Sequence, residues 1–456
     1  MEQLDMLTNT PNLLELCRKK PETLTPGELM ELRRQLQGLT DWWLHSEVLK
    51  RMQVLLGRGP RPPRVPTAPG SCWVLFAQRP QRPFAAVRSA FVLPLVWRPN
   101  TPDSSRLPKR LRELARAIAR AAYQPSYGLH LDPSLGDVEL VRADSEFQEV
   151  RSCGASLAGG LLVSVKGGTV DPHIWASGGW DPDKGIVRVG HLREKMLAAL
   201  ELGAKEFFVP DLQFEEAQGI DLGGKSLHLG KLRTGTLDLH RALGQYLHRL
   251  DAPPPEPRDA DDQDGFNRCA DYYLRYPHER ADFYRQFLLP IIVERCARQL
   301  RRDYPSWQAR ALITIVSGRP ELSAITACAT GVHSCLLLYT RSGDTEQDQT
   351  QAKDEAINLI RRLKPNSVAP RCRDAAFTYG PEMHGQIPEA ICRFCQEEAI
   401  DPHQLVLDIT PGTKWMNWVC DHAMPEGSWR LYVRNDALRS PGAPRPGTEK
   451  LIVWKA

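Results

Sequence analysis

Two proline-rich breaks constrain this chain more than any other feature of it. GRGPRPPRVPTAPG occupies residues 57–70, and DAPPPEPRDADDQDG occupies 251–265. Proline fixes φ and lacks an amide hydrogen, so neither stretch can continue a helix or a strand ladder, and each reads as a stiff linker. At roughly 150 residues per domain, a chain of 456 residues is also too long for one core. The expected division is a small helical domain at 1–57, a Pro-rich linker at 58–70, and a mixed domain at 71–250. An acidic linker at 251–265, a helical connector at 266–308 and a C-terminal domain at 309–456 follow.

The texture differs between these segments. Residues 1–57 alternate apolar and charged positions at helical spacing, with Thr25 and Pro26 placed as N-cap and first helical residue and with Trp42 and Trp43 as core candidates. From Cys72 onward short apolar runs predict strands: CWVLFA, AAVRSAFVLPLVW and DVELV at 137–141. A helix is expected from Leu107 to Tyr123, a Gly-rich turn at GASLAGG, and one amphipathic helix at 237–250. Aromatic residues between Phe266 and Tyr284 recur near helical repeats and read as a connecting or dimerising packing surface. After Pro305 strands and helices alternate, which predicts a parallel, doubly wound sheet.

Hydrophobic residues make up 42% and charged residues 25%, the balance of a soluble globular protein with a sizeable core. A net charge of +4 is too small to argue for DNA or RNA as a direct partner. Eleven cysteines without paired spacing, and the lack of a leader or a long apolar run, lead us to expect a reducing, cytoplasmic setting with no membrane segment. Cys392 and Cys395 lack a second pair to complete a zinc site, so we expect them to pack in a core, and no metal is expected.

One lysine stands out in the mixed domain. On a helix starting at Leu192 the residues sharing its face are Lys195, Met196, Ala199 and Gly203, so Lys195 is the one charge on an apolar stripe. Burial disfavours an ammonium, and a neutral amine can take a proton from a serine hydroxyl. The best serine is Ser156, because small neighbours admit a substrate closely and the amides of a turn ahead of a helix could hold an oxyanion. The same turn could equally be plain punctuation. Ser152 and Ser164 are fallback nucleophiles.

Two further stretches carry phosphate-like patterns. GIDLGGKS at 219–226 satisfies the phosphate-loop pattern literally, but no strand feeds it directly and no helix is expected after it, so nucleotide binding is not expected there. VLDITPGTKWMNW at 406–418 runs from an apolar strand through Asp408, Thr410, Gly412, Thr413 and Lys414 into a helix. That arrangement presents amides, hydroxyls and a cation to phosphate. An ordinary strand-to-helix turn with a capping threonine would look the same.

The run from about 134 to 250 resembles the proteolytic domain of Lon proteases, through GASLAGG around the serine and GIVRVGHLREKMLAALELGAKEFFVPDLQ around the lysine. The resemblance implies an α+β Lon-protease-like fold in which Ser156 is the nucleophile, Lys195 the general base, and Ser177 a support for the lysine. Gly179 stands where a glutamate often follows, His191 replaces the second glycine of a G-G pair, and Leu157 replaces an alanine. No stretch upstream offers the ATPase module of full Lon proteases, so the implied protease is ATP-independent.

The C-terminal segment resembles the D-x-T-x-G-T-K signature of CARF domains, the Rossmann-like α/β sensors of cyclic oligoadenylate in type III CRISPR defence. Pro411 departs from the usual residue. That resemblance implies a homodimer and ligand contacts by Ser317, Gly318 and Arg319 after the first strand, and by Thr410, Gly412, Thr413 and Lys414. Together the two resemblances imply a serine endopeptidase of antiviral signalling, acting on a partner protein, needing no cofactor and activated by cyclic oligoadenylate. The alternative is a catalytically inactive, ligand-responsive adaptor. A nuclease would need a carboxylate cluster with metal-ligand spacing, and none is evident.

Overall fold

The computed structural model describes residues 64–77, 90–135, 150–341, 348–364, 369–435 and 444–455, together with 19, 23–28, 30 and 54. Most of the expected N-terminal helical domain, including Trp42 and Trp43, and the expected strand at 137–141 lie outside the described residues. The protein is mixed α/β and falls into two compact units, Met1–Ala252 and Pro253–Ala456.

In the first unit, β1 (Ser71–Ala77), β2 (Ala90–Pro99) and β3 (Tyr127–Leu131) form an antiparallel sheet in that order. Between β2 and β3 lies α1 (Lys109–Ala121), whose Leu111, Leu114, Ala115, Ile118 and Ala119 recur at i, i+3 and i+4 and form its buried stripe. The segment expected as a Gly-rich turn is instead a helix: GASLAGG opens α2 (Gly154–Val165), entered from a 3-10 turn at Val150–Cys153. Its glycines are there for close packing rather than for a bend. A Cβ at Gly154 would sit 2.4 Å from Trp180 Cβ, and one at Gly160 would sit 2.6 Å from Cys72 Cβ.

Three parallel strands follow in the order β4 (Ile174–Ala176), β7 (Glu206–Pro210) and β8 (His228–Leu232), with β5 (Gly179–Asp181) and β6 (Gly185–Val187) as a hairpin. The lysine helix is α3 (Leu192–Glu201). It ends as the sequence predicts: Gly203 has φ +90°, its N–H bonds the Leu200 carbonyl at 3.1 Å, and the Ala204 N–H bonds the Ala199 carbonyl at 3.0 Å. Those two bonds satisfy carbonyls that any helix end leaves open.

After β7 comes the short α4 (Phe214–Gln218). The expected single helix at 237–250 is broken at Gly244, φ +45°, into α5 (Leu239–Leu243) and α6 (Gln245–Leu250).

The second unit is built on a six-stranded sheet, ordered β11-β10-β9-β12-β13-β14: β9 (Ala311–Ile315), β10 (Ser334–Thr340), β11 (Arg371–Phe377), β12 (Leu405–Asp408), β13 (Trp429–Asn435) and β14 (Glu449–Lys455). All neighbours are parallel except β13 and β14. β9 and β10 are buried throughout, as continuous apolar strands at the middle of a parallel sheet must be, while the polar RCRDAAF of β11 lies at an edge.

Alternation then separates two cores. Leu312, Cys335 and Leu337 face α7 (Gln263–Arg275), α8 (Leu289–Asp303), α9 (Pro320–Ala329) and α10 (Thr350–Leu363). Ile313, Leu336 and Leu338 face α11 (Met383–Glu397) and α12 (Lys414–Ala423).

The aromatic stripe of the expected connector packs on this sheet: Phe266 and Tyr284 are buried in the first of these cores, with Tyr273 and Phe283 against it. A π turn, Tyr284–Leu288, leads into α8, and its Arg285 pairs with Glu321 at 2.8 Å and Glu355 at 3.0 Å. Cys395 is half-buried beside the second core, but Cys392 is exposed, so only one of the pair packs as expected. The next helix, α9, begins at Pro320, which leaves residues 316–319 as the whole loop after β9.

Candidate active site and candidate ligand crevice

Ser156 sits in the first turn of α2, 5% exposed, and its hydroxyl donates to the Ala176 carbonyl at 2.9 Å. Ala176 ends β4, so the serine is tied to the strand that leads directly into Ser177. The Ala155 N–H donates to the Gly178 carbonyl at 2.9 Å. One of the amides expected to be open for an oxyanion is therefore engaged within the fold, because the helix start packs against the β4–β5 loop. Ser177 is 1% exposed, and its hydroxyl has no hydrogen-bond partner among the described residues. A buried orphan hydroxyl costs stability, so such groups mark places where a partner is supplied by another state or by a ligand.

Lys195 is 2% exposed, facing inward as its position on the apolar stripe requires, whereas Arg193 and Glu201 are exposed. Its charge reaches Cys153, the residue capping the helix that carries Ser156. Burial pushes the Cys153 thiol up to about 12, and the nearby Lys195 acts in the opposite sense. Lys195 on α3 therefore lies within electrostatic range of Cys153, the residue that precedes the turn of α2 carrying Ser156. Of the fallback serines, Ser152 lies in the 3-10 turn and Ser164 at the far end of α2, both half-buried.

Three further residues shape the surroundings, two of them invisible in the spacing of the sequence. Tyr246 on α6 is buried, and burial pushes its phenol up while its interaction with the Ser156 side chain opposes the shift. The helix carrying it is anchored where Arg249 Nε donates to Glu206 at 3.2 Å. Gln213, 2% exposed, clamps the chain just before α3: the Val189 N–H donates to Oε1 at 2.7 Å, and Nε2 donates to the Val189 carbonyl at 2.9 Å. His191, between that clamp and the lysine, adopts φ +57°, ψ +42°, a left-handed conformation that glycine takes without strain. Only His191 carried a signal in the sequence, as a departure from a paired glycine.

Residues 219–226 form neither the strand entry nor the helix of a phosphate loop. They lie between α4 and β8.

In the second unit the two expected loops meet. The chain leaves β9 toward β10 and β11 on one side, and leaves β12 toward β13 on the other, so the winding reverses between β9 and β12. Such a reversal opens a crevice at the carboxyl ends of the two strands. Residues 317–319 border it after β9 and residues 409–413 after β12.

The loop after β12 packs on the end of β9: Gly412 has φ +86°, and a Cβ there would lie 2.9 Å from Ile315 Cδ1. Gly318, Arg319, Gly412, Thr413 and Lys414 are exposed, and Ser317 is half-buried, accepting from the Arg319 N–H at 3.3 Å. Lys414 has no side-chain ion pair among the described residues. Thr413 caps α12 by accepting from the Met416 N–H at 3.2 Å.

Thr410 faces the fold instead. Its hydroxyl accepts from the Val433 N–H at 2.7 Å and also interacts with Asp408. Asp408 is fully buried, accepting from the Thr410 N–H at 2.9 Å and the Thr314 hydroxyl at 3.1 Å. Burial pushes its carboxyl up, and the hydrogen bonds from Thr410, Thr326 and Thr314 oppose that shift. Asn417 braces the same loop through the Ile409 carbonyl at 2.9 Å, and its buried Oδ1 has no partner among the described residues.

The chain matches no known family model and no curated protein. Among the described residues no group of His, Cys, Asp and Glu could hold a metal ion, and no helix is long and apolar enough to cross a membrane.

Proposed function

We propose that the chain is a cyclic-oligoadenylate-activated serine endopeptidase of type III CRISPR signalling, with a Lon-like Ser156–Lys195 dyad in the first unit and a CARF-like sensor in the second. The observation that carries the reading is the burial of Lys195 within electrostatic reach of Cys153, which caps the helix carrying Ser156. A lysine withheld from water favours the neutral amine, the form able to accept a proton. In the proposed reaction Lys195 Nζ takes the hydroxyl proton as Ser156 Oγ attacks the scissile carbonyl. The resulting ammonium returns the proton to the departing amine, and water then releases the acyl group from Ser156. Ser177 supplies its unpartnered hydroxyl to the charged lysine.

The crevice between β9 and β12 supports the sensor half, since it places exposed Arg319 and Lys414 and the N-terminus of α12 along one sheet edge. A two-fold symmetric ligand suits a homodimer formed through this unit. A second reading, an inactive ligand-responsive adaptor, draws support from the engaged state of the Ser156 hydroxyl and the Ala155 amide.

Cleavage products should be compared by proteomics in cells expressing the protein, Ser156→Ala or Lys195→Ala, with cyclic oligoadenylate supplied. Products seen only with the unsubstituted protein support the dyad, and their persistence in either variant rules it out. A serine-reactive phosphonate that labels Ser156 only with ligand present would exclude the adaptor.

A further inference from the structure

We infer that the exposed aromatic cluster beside the crevice of the second unit is a shelf on which a nucleobase stacks, with Trp415 as its principal ring. The inference rests on the proposed reading of the Lys414 loop as a phosphate site, and it adds the part of the ligand that phosphate contacts do not read.

Tyr379, Trp415 and Trp418 are 41%, 40% and 50% exposed, an unusual concentration of large rings in water. They are held in place by one another. Tyr379 and Trp415 meet edge to face, with centroids 5.8 Å apart at 84°, and the His384 ring stands 5.7 Å from Trp415 and 5.8 Å from Trp418. An edge-to-face pair covers at most one of its four ring faces, and with Trp415 40% exposed, aromatic surface stays open to solvent.

Its position ties it to the crevice. Trp415 follows Lys414 in the first turn of α12, and Tyr379 lies two residues beyond the end of β11. Both therefore belong to the carboxyl edge of the parallel sheet, where residues 317–319 and 409–413 also lie.

Chemistry selects the occupant. A bare phosphate would have no use for the rings, and an apolar peptide would have no use for the exposed Lys414. A nucleotide uses both, placing its base on a ring face and its phosphate against the cation.

The test uses the full-length protein with Trp415→Ala and Trp415→Phe, titrated with cyclic oligoadenylate and, as a base-free probe, inorganic triphosphate. Trp415→Ala should weaken cyclic oligoadenylate by about 5- to 100-fold, the range expected for one lost stacking contact. Trp415→Phe should recover most of that loss, and triphosphate affinity should be the same in all three proteins. Equal affinity of the unsubstituted protein and Trp415→Ala for cyclic oligoadenylate overturns the inference alone. Failure of the unsubstituted protein to bind it overturns the underlying reading as well. Sedimentation without ligand covers the remaining occupant: if Trp415→Ala dissociates an oligomer that the unsubstituted protein maintains, the cluster is a contact with a second copy and the shelf is refuted.

Discussion

Ser156 and Ala176 are joined by a 2.9 Å hydrogen bond from hydroxyl to carbonyl. A carbonyl holds a hydroxyl proton but cannot accept it at neutral pH, so this hydrogen bond occupies the hydroxyl without activating it. Freeing the hydroxyl requires the side chain to leave Ala176, which ties that movement to the end of β4 and to the orphan hydroxyl of Ser177 just after it. The following predictions concern the residues that set this geometry and that of the crevice.

His191 holds a left-handed backbone at the start of the lysine helix, and its carbonyl accepts the first helical hydrogen bond, from the Lys195 N–H at 3.2 Å. A left-handed non-glycine residue costs about 1–2 kcal/mol, and a β-branched one costs more. His191→Gly should leave stability within about 1 kcal/mol of the unsubstituted protein or slightly above it, because glycine's extra freedom when unfolded offsets the relief. His191→Val should lower the melting temperature by about 2–6 °C and reduce activity. Calorimetry of the two variants decides the matter, and equal melting temperatures would show that the left-handed conformation is not retained.

Gln213 satisfies both backbone groups of Val189. Gln213→Leu keeps the volume and removes both partners, at about 1–3 kcal/mol for each polar group left buried and unmet. Denaturant unfolding should register the loss. Phosphonate labelling of Ser156 in the still-folded variant should fall too, since the segment entering α3 is no longer fixed. Undiminished stability would mean that Val189 finds water instead.

Asp408 makes the second unit sensitive to pH in a defined direction. Burial raises its carboxyl above the ordinary 3.8 in the folded state, so the fold binds a proton more tightly than the unfolded chain does. Its contribution is most favourable below the ordinary value and is lost as pH rises through the folded one. Relative to Asp408→Asn, the unsubstituted protein should therefore lose stability as pH rises above about 4. Paired denaturation curves across that range test the slope, and a gain with rising pH would contradict the assignment.

Legibility in the sequence followed the physics of each element. Periodicity alone placed Lys195 inward, because a lone charge among Leu192, Met196 and Ala199 has only one face to share, and it is 2% exposed. The alternation of strands and helices after Pro305 announced a parallel sheet, and the turn from β12 into α12 was readable from Asp408 to Lys414. GASLAGG misled because glycine's local preference is for turns. The structure uses Gly154 and Gly160 where Trp180 and Cys72 come too close for any side chain, a tertiary demand that no local window contains. Tyr246 and Gln213 stayed hidden for the same reason: one is far along the chain from Ser156, and the other reaches Val189 across a loop.

The reversal of winding between β9 and β12 has an evolutionary consequence. The two lips of the crevice come from distant parts of the chain, and each hangs from the end of a strand whose interior is packed on both faces. Either lip can therefore lengthen, shorten or change its polar residues without disturbing the sheet beneath it. On such a scaffold the shape of the crevice is a matter of loop editing, and it could change while the fold is kept.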